Sequence, residues 1–112
     1  MKIEPHTLQA AAEEASELLK ALANRHRLMI LCQLIDGERS VSELADLLGI
    51  RMSAVSQHLA LLRRDGLVSA RRDGQTIWYA ISSPPAHRVI ETLYETYCAP
   101  TLRCSPRRPT KR

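Results

Sequence analysis

Apolar residues recur at helical spacing through the first third of the chain and divide it into two predicted helices. The stretch HTLQAAAEEASELLKALA, rich in Ala, Glu and Leu, predicts the first helix. Asn24 then offers an N-cap for a second helix, RHRLMILCQLI. Leu28, Leu31, Cys32 and Ile35 share one stripe of that helix, so Cys32 stands inside an otherwise apolar run.

The next stretch predicts two short helices separated by a glycine. Ser40 and Glu43 have the spacing of a capping box, which opens a third helix that runs through Leu48. Gly49 suits the tight turn that follows. MSAVSQHLALLRRDG then predicts a fourth helix that ends near Gly66.

After the fourth helix, the spacing of apolar residues changes from that of a helix to that of β-strands. LVSARR and TIWYAI flank Asp73-Gly74, which predicts a two-stranded β-hairpin. SPP then breaks the chain, and AHRVIETLYETYC predicts a last helix. We therefore expect a folded domain over residues 1–98 and a basic, Pro/Arg-rich, flexible tail over residues 99–112.

The charge of the chain does not by itself locate a binding face. Residues 83–112 carry six basic and two acidic groups, and so account for the whole net charge of +4. No apolar run approaches the roughly 18 residues that cross a bilayer, and the N-terminus has no apolar signal core. We expect a cytoplasmic chain with no membrane partner, whose three cysteines are thiols.

Two short helices joined at a glycine turn and followed by a basic β-hairpin predict a winged helix-turn-helix. The expected fold is mainly α, with about five helices and the hairpin as a wing. The fourth helix is then the one that enters a major groove of double-stranded DNA. The candidate base-reading residues are Ser53, Ser56, Gln57 and His58, and the candidate phosphate contacts are Arg51, Arg63, Arg64, Arg71 and Arg72.

Two other classes of protein are compatible with parts of this pattern. Each of these arginines could be a solvated surface residue, and the domain would then be a winged-helix module for protein contacts with inert cysteines. A thiol oxidoreductase is not indicated, because the chain has neither a C-x-x-C motif nor a nucleophile–base constellation. The sequence therefore predicts no enzyme and no cofactor.

Three stretches resemble a known family of bacterial repressors. LKALANRHRLMILCQL, SVSELADLLGIRMSAVSQHLALLRRDGLV and RRDGQTIWYAI are similar to the corresponding parts of ArsR/SmtB-type winged-helix repressors. The likeness covers roughly residues 15–98. It implies a homodimer formed through the first and last helices, which binds imperfect inverted repeats and releases them when an inducer binds or reacts. Arg51 departs from the family, since many members have there the Ser that begins an SxSxxSxHL pattern.

The resemblance does not extend to the metal sites of the family. A metalloid site of the ELCVCDL type would need thiols where this chain has Ala45 and Leu47. A zinc site on the last helix would need a second His-x-x-Glu beyond His87 and Glu91. We therefore expect no metal, and we expect surface positions for His6 and His26, which lack a motif context.

The cysteines remain as candidate sensors. Cys32 and Cys98 match the arrangement in the persulfide-sensing (SqrR/BigR/HlyU-like) branch of the family. That resemblance implies that the two thiols approach each other and are joined when reactive sulfur species or oxidants accumulate, with Cys32 the more buried partner. Cys104 leaves two alternatives open. The three thiols could bind a soft metalloid such as arsenite, or Cys98 and Cys104 could pair and leave Cys32 a core residue.

Overall fold

A computed structural model of the chain describes residues 4–98. Helices and strands follow one another in an order that confirms the predicted mainly α winged helix-turn-helix. The predicted tail, residues 99–112, lies outside the described residues. The elements are α1 (Pro5–Leu22), α2 (Arg25–Leu34), β1 (Arg39–Ser40), α3 (Val41–Leu48), α4 (Met52–Arg64), β2 (Val68–Asp73), β3 (Thr76–Ile81) and α5 (Pro84–Leu93), followed by a π-helical turn (Tyr94–Cys98).

The helix boundaries follow local chemistry. The Ser40 hydroxyl accepts from the Glu43 amide at 3.2 Å, and the Glu43 carboxylate accepts from the Ser40 amide at 3.1 Å, which is the predicted capping box. Gly49 ends α3 in the left-handed region at φ 67°, where a side chain would be strained. Pro84 and Pro85 were expected to break the chain but instead begin α5, because the first turn of a helix needs no proline N–H.

The sheet has three strands rather than the two expected. β3 pairs with β2 to form the predicted hairpin, and its other edge pairs with β1 through Arg39–Tyr79 and Ser40–Trp78. We call β2, β3 and the turn between them the wing. A strand of two residues is too short to produce an alternating pattern, so β1 could not be predicted from the sequence.

The core lies between α2, α3, α4, α5 and the base of the wing. Its fully buried side chains are Ile30, Leu31, Leu44, Val55, Leu59, Leu62 and Ile90. In α1, by contrast, only Ala21 and Leu22 are buried, and Leu8 and Leu19 are at least half exposed. Within residues 4–98, none of the helices combines the length and apolar character needed to cross a membrane.

Helix α3 begins with a side-chain N-cap and helix α4 does not. Substitutions at the two N-cap positions should therefore have opposite effects on stability. Arg51 has the extended backbone of an N-cap, but its side chain accepts no hydrogen bond from the first turn of α4. Arg51→Ser should therefore raise the free energy of unfolding by about 1 kcal/mol, and Ser40→Ala should lower it by about 1 kcal/mol. Urea denaturation measures both. Ser69→Ala, an exposed serine on β2, is the matched control, and a destabilised Arg51→Ser variant would contradict this account of α4.

Candidate DNA-binding surface and thiol pair

Helix α4 is amphipathic, and its polar face is open to solvent. Val55, Leu59 and Leu62 are fully buried on one side and pack α4 against α2, α3 and β2. Successive residues of a helix turn by about 100°, so the opposite face collects positions 53, 57, 60 and 64, with position 56 beside them. All of these residues are exposed. Ser53, Ser56 and Gln57 therefore form one polar surface near the N-terminal half of the helix.

His58 lies apart from that surface. It is about 140° around α4 from Ser53 and is partly buried against α2. Its ring meets that of His26 edge to face, with centroids 5.8 Å apart. Burial is the largest influence that lowers the pKa of His58, and the charges of Arg27 and His26 add to it. His26, expected on the surface, is thus half-buried, while His6 is exposed as expected.

Four exposed arginines lie at the two ends of α4 and on the wing. Arg51 precedes the helix, Arg63 and Arg64 end it, and Arg72 lies on the wing; all four are exposed. Arg64 Nε lies 3.3 Å from Asp65 Oδ1, and Arg72 Nη1 donates to the Gly74 carbonyl at 3.5 Å. The exposed end of α4 and the wing therefore carry cations on either side of the serines and Gln57.

Arg71 differs from the other arginines because two of its nitrogens bind one carboxylate. Its Nε and Nη2 donate to the two Glu38 oxygens at 2.9 and 2.7 Å. This pairing lowers the pKa of Glu38 and raises the pKa of Arg71, in each case chiefly through the hydrogen bonds between them. Sequence reasoning missed Glu38, since the two residues are 33 positions apart and no motif joins them.

The two described cysteines are free thiols that differ in exposure. Cys32 is half-buried on α2 against the core, and Cys98 is exposed at the end of the π-helical turn. Burial is the first cause that raises the pKa of Cys32, and the charge of the Cys98 thiolate is the second. The two sulfurs are therefore within electrostatic range of each other. Cys104 lies outside the described residues.

The candidate metal ligands do not assemble. His87 Nδ1 lies 3.7 Å from Glu91 Oε1, an i,i+4 ion pair on the surface of α5. Among residues 4–98 there is no cluster of three or more His, Cys, Asp or Glu side chains that could hold a metal ion.

A short helix pair, an exposed polar face on its second helix and a wing beside it define a winged helix-turn-helix DNA-binding protein.

Comparisons with known proteins agree with this class. The model of the bacterial regulatory protein arsR family matches residues 24–70. Transcriptional activator HlyU of Vibrio cholerae is 48% identical over 101 residues, which cover 88% of this chain and 94% of that protein. The transcriptional repressor BigR of Xylella fastidiosa has a solved structure with TM-score 0.79 and 36% identity, covering 87% of this chain and 96% of that one.

A second solved structure is described as a homodimeric winged helix-turn-helix DNA-binding domain from Mycobacterium bovis. It has a TM-score of 0.70 and 29% identity, and covers 96% of this chain and 97% of that one. The present chain belongs to the ArsR family of bacterial transcription regulators, in the branch that contains HlyU and BigR. It is a DNA-binding regulator of transcription, as its relatives are, and not an enzyme.

The surroundings of His58 predict a pH dependence of stability. Because its pKa is lowered in the folded chain, the unfolded chain binds a proton at a higher pH, near 6.5. The free energy of unfolding should therefore fall as the pH drops below about 6.5, until the lowered pKa of the folded state is reached. His58→Gln should make this fall shallower between pH 7.5 and pH 5.5, as measured by urea denaturation. Gln57→Ala, on the exposed polar face of α4, should keep the wild-type slope, and an unchanged slope in His58→Gln would contradict the assignment.

Proposed function

We propose that the chain is a homodimeric repressor whose operator binding is switched by a sulfur bridge between Cys32 and Cys98. The inducer is a persulfide, a polysulfide or an oxidant. The observation that carries the proposal is the pair of free thiols, Cys98 exposed at the end of the π-helical turn and Cys32 half-buried on α2. Burial and, after it, the charge of Cys98 raise the pKa of Cys32, which is consistent with this pairing. Two thiols that sense each other's charge, one of them open to solvent, are suited to react in sequence with a soluble sulfur species.

The polar surface of α4 reads DNA bases in this proposal. Serine hydroxyls donate and accept, and a glutamine can bond an adenine edge with two hydrogen bonds. Phosphates are bound by cations around this surface, namely Arg51, Arg63, Arg64 and Arg72. His58 packs α4 against α2 and does not contact the bases. Arg71 is hydrogen-bonded to Glu38.

A second copy of the chain covers α1 and the last helix. Support comes from the exposure of α1, where Leu8 and Leu19 are 50% and 57% exposed, and of the π-helical turn, where Tyr97 is 71% exposed. The relative from Mycobacterium bovis is described as homodimeric. A twofold dimer presents two copies of α4 to successive major grooves, so its operator is an imperfect inverted repeat with half-sites about one helical turn apart.

The thiol chemistry begins at the exposed sulfur. The Cys98 thiolate attacks a polysulfide sulfur, forms an S–S bond and expels a shorter polysulfide anion, which leaves a persulfide on Cys98. Cys32, once it has lost its proton, attacks Cys98 Sγ, expels hydrosulfide and closes a disulfide. A chain on Cys98 that is longer by one sulfur closes a trisulfide in the same way. The dithiol gives up two electrons, and the polysulfide accepts them.

Bridge formation can release DNA only if the bridged and reduced dimers differ in their affinity. Joining Cys32 to Cys98 ties α2 to the end of the last helix. α2 packs directly on α4, so its displacement changes how the two α4 helices of the dimer are spaced. A hundredfold loss of affinity requires about 2.7 kcal/mol of coupling between the thiols and the DNA surface.

The base-reading role of Gln57 is tested by separating specificity from affinity. Gln57→Ala should cost about 1–3 kcal/mol on a duplex enriched from a random pool by the wild-type protein, and should relax the sequence preference. Arg63→Ala should instead weaken binding to all duplexes alike and reduce the salt slope by about one. Fluorescence anisotropy over a range of salt concentrations measures both. A Gln57→Ala variant with an unchanged preference would remove this residue from the reading surface.

The thiol switch is tested with the three single cysteine variants. Polysulfide should lower the DNA affinity of the wild type by about a hundredfold, the loss that the coupling above implies. Cys32→Ser and Cys98→Ser should bind DNA when reduced and stay bound under polysulfide, while Cys104→Ser should release like the wild type. Intact-mass analysis should show loss of two hydrogens, with or without added sulfur atoms, in the wild type and in Cys104→Ser only.

The outcomes separate the proposed switch from its alternatives. Release of DNA by polysulfide-treated Cys32→Ser would refute the bridge between Cys32 and Cys98. Release by arsenite that requires all three thiols would favour a metalloid-responsive regulator instead. Absence of salt-sensitive binding to any duplex would favour a protein-interaction module.

A further inference from the structure

The ion pair between Arg71 and Glu38 connects the wing to the body of the domain. Arg71 lies on β2, where it pairs with Trp78 of β3, and Trp78 pairs with Ser40 of β1. Glu38 lies two residues before Ser40, in the segment that leads from α2 to α3. The contact therefore spans the middle strand and joins the outer strand of the wing to the segment that enters the helix-turn-helix.

The geometry of this contact fixes the orientation of the Arg71 guanidinium relative to the Glu38 carboxylate. Two parallel N–H···O bonds, at 2.9 and 2.7 Å, hold the planar guanidinium against one carboxylate. A bidentate pair of this kind restricts rotation far more than a single contact does. The wing supplies two of the three strands of the sheet, so a constraint between its outer strand and the segment before α3 restricts how the wing can be oriented relative to the helix-turn-helix.

The charges around Arg71 are unfavourable for a phosphate. Besides Glu38, the Asp73 carboxylate lies 3.9 Å from Arg71 Nη1, so the three side chains together carry a net charge of minus one. A DNA phosphate that approached Arg71 would have to displace Glu38 and remain beside Asp73. Arg72 is the next residue in the strand, and successive side chains of a strand point to opposite faces. The Arg72 guanidinium donates to a neutral group, the Gly74 carbonyl, at 3.5 Å.

We propose that Arg71 is a positioning residue, which holds the wing at its DNA-binding angle through Glu38, and that Arg72 supplies the wing's phosphate contact. The inference rests on the proposed contacts between this surface and DNA. It assigns a function to Glu38, an acidic residue that would otherwise only repel the DNA. It also separates two adjacent arginines that look equivalent in the sequence.

The test asks whether removal of the Glu38 charge raises or lowers the affinity for DNA. Removing its charge would raise DNA affinity if Glu38 acted only by repelling phosphates. If Glu38 positions the wing, Glu38→Gln should lower the affinity for the selected duplex, by up to about 5-fold, the upper range for an exposed ion pair. Arg71→Gln should cause a similar loss, and the double variant should be no worse than either single variant. All three should keep the wild-type salt slope, whereas Arg72→Gln should reduce it by about one.

Reversing the pair gives the decisive comparison. Glu38→Arg combined with Arg71→Glu rebuilds the ion pair with its charges exchanged, and should restore affinity above that of Arg71→Gln. A phosphate ligand could not be rescued in this way. Higher affinity in Glu38→Gln, a reduced salt slope in Arg71→Gln, or failure of the reversed pair to restore binding would each overturn the proposal.

Hydrogen exchange of the free protein tests the constraint without DNA. Amides of β2 and β3 should exchange faster in Glu38→Gln and in Arg71→Gln than in the wild type, and should return towards wild-type rates in the reversed pair. Unchanged exchange in both single variants would refute the positioning role. Failure of the wild type to bind any duplex would refute the proposed DNA contacts, and the exchange data would still decide whether the ion pair holds the wing.

Discussion

The candidate DNA-binding surface depends on the burial of three side chains on one face of α4. Val55, Leu59 and Leu62 are fully buried, and they fix the rotation of the helix about its own axis. Burial of one aliphatic side chain stabilises the folded state by roughly 1.5–3 kcal/mol. Rotating α4 would expose these apolar side chains to water and would therefore cost several kcal/mol. The polar residues on the opposite face are held outward as a consequence. Their own interactions with the domain contribute little to this arrangement.

In the proposed switch, the same packing makes α2 the element through which bond formation at Cys32 would reach α4. Ile30 and Leu31 are fully buried in the core that also holds α4, and Cys32 is the next residue along the chain. Close-packed interiors have few voids, so a shift of α2 that accommodates a bond at Cys32 has to displace neighbouring side chains. Cys32 is therefore attached to the core, while Cys98, its proposed partner, lies exposed at the end of the π-helical turn.

The parts of the fold that sequence could predict are those governed by local chemistry. The capping box of Ser40 and Glu43 and the Asp73-Gly74 turn depend on residues within a few positions of each other, and both lie where expected. Polar character near the N-terminus of α4 likewise identified the exposed Ser53, Ser56 and Gln57. It also included His58, which lies partly buried beside His26 of α2, a contact that only the tertiary packing creates. The resemblance to a known family, rather than any local pattern, supplied the expectation about the two cysteines. The different roles proposed for Arg71 and Arg72 could not be predicted from the sequence. Glu38, the partner of Arg71, comes near it only through the pairing of three strands.

Cys32 and Cys98 enclose almost everything that contacts DNA in the proposed function. The segment between them contains α3, α4 and the wing and spans 66 positions of the chain, the difference between the two residue numbers. A covalent bridge would turn that segment into a closed loop. In the chain-entropy model, closing a loop of this length disfavours the unfolded state by about 4 kcal/mol. The regulator released from DNA would then also be the form more resistant to unfolding and to proteolysis, so the duration of the response would depend on reduction of the bridge rather than on turnover of the protein.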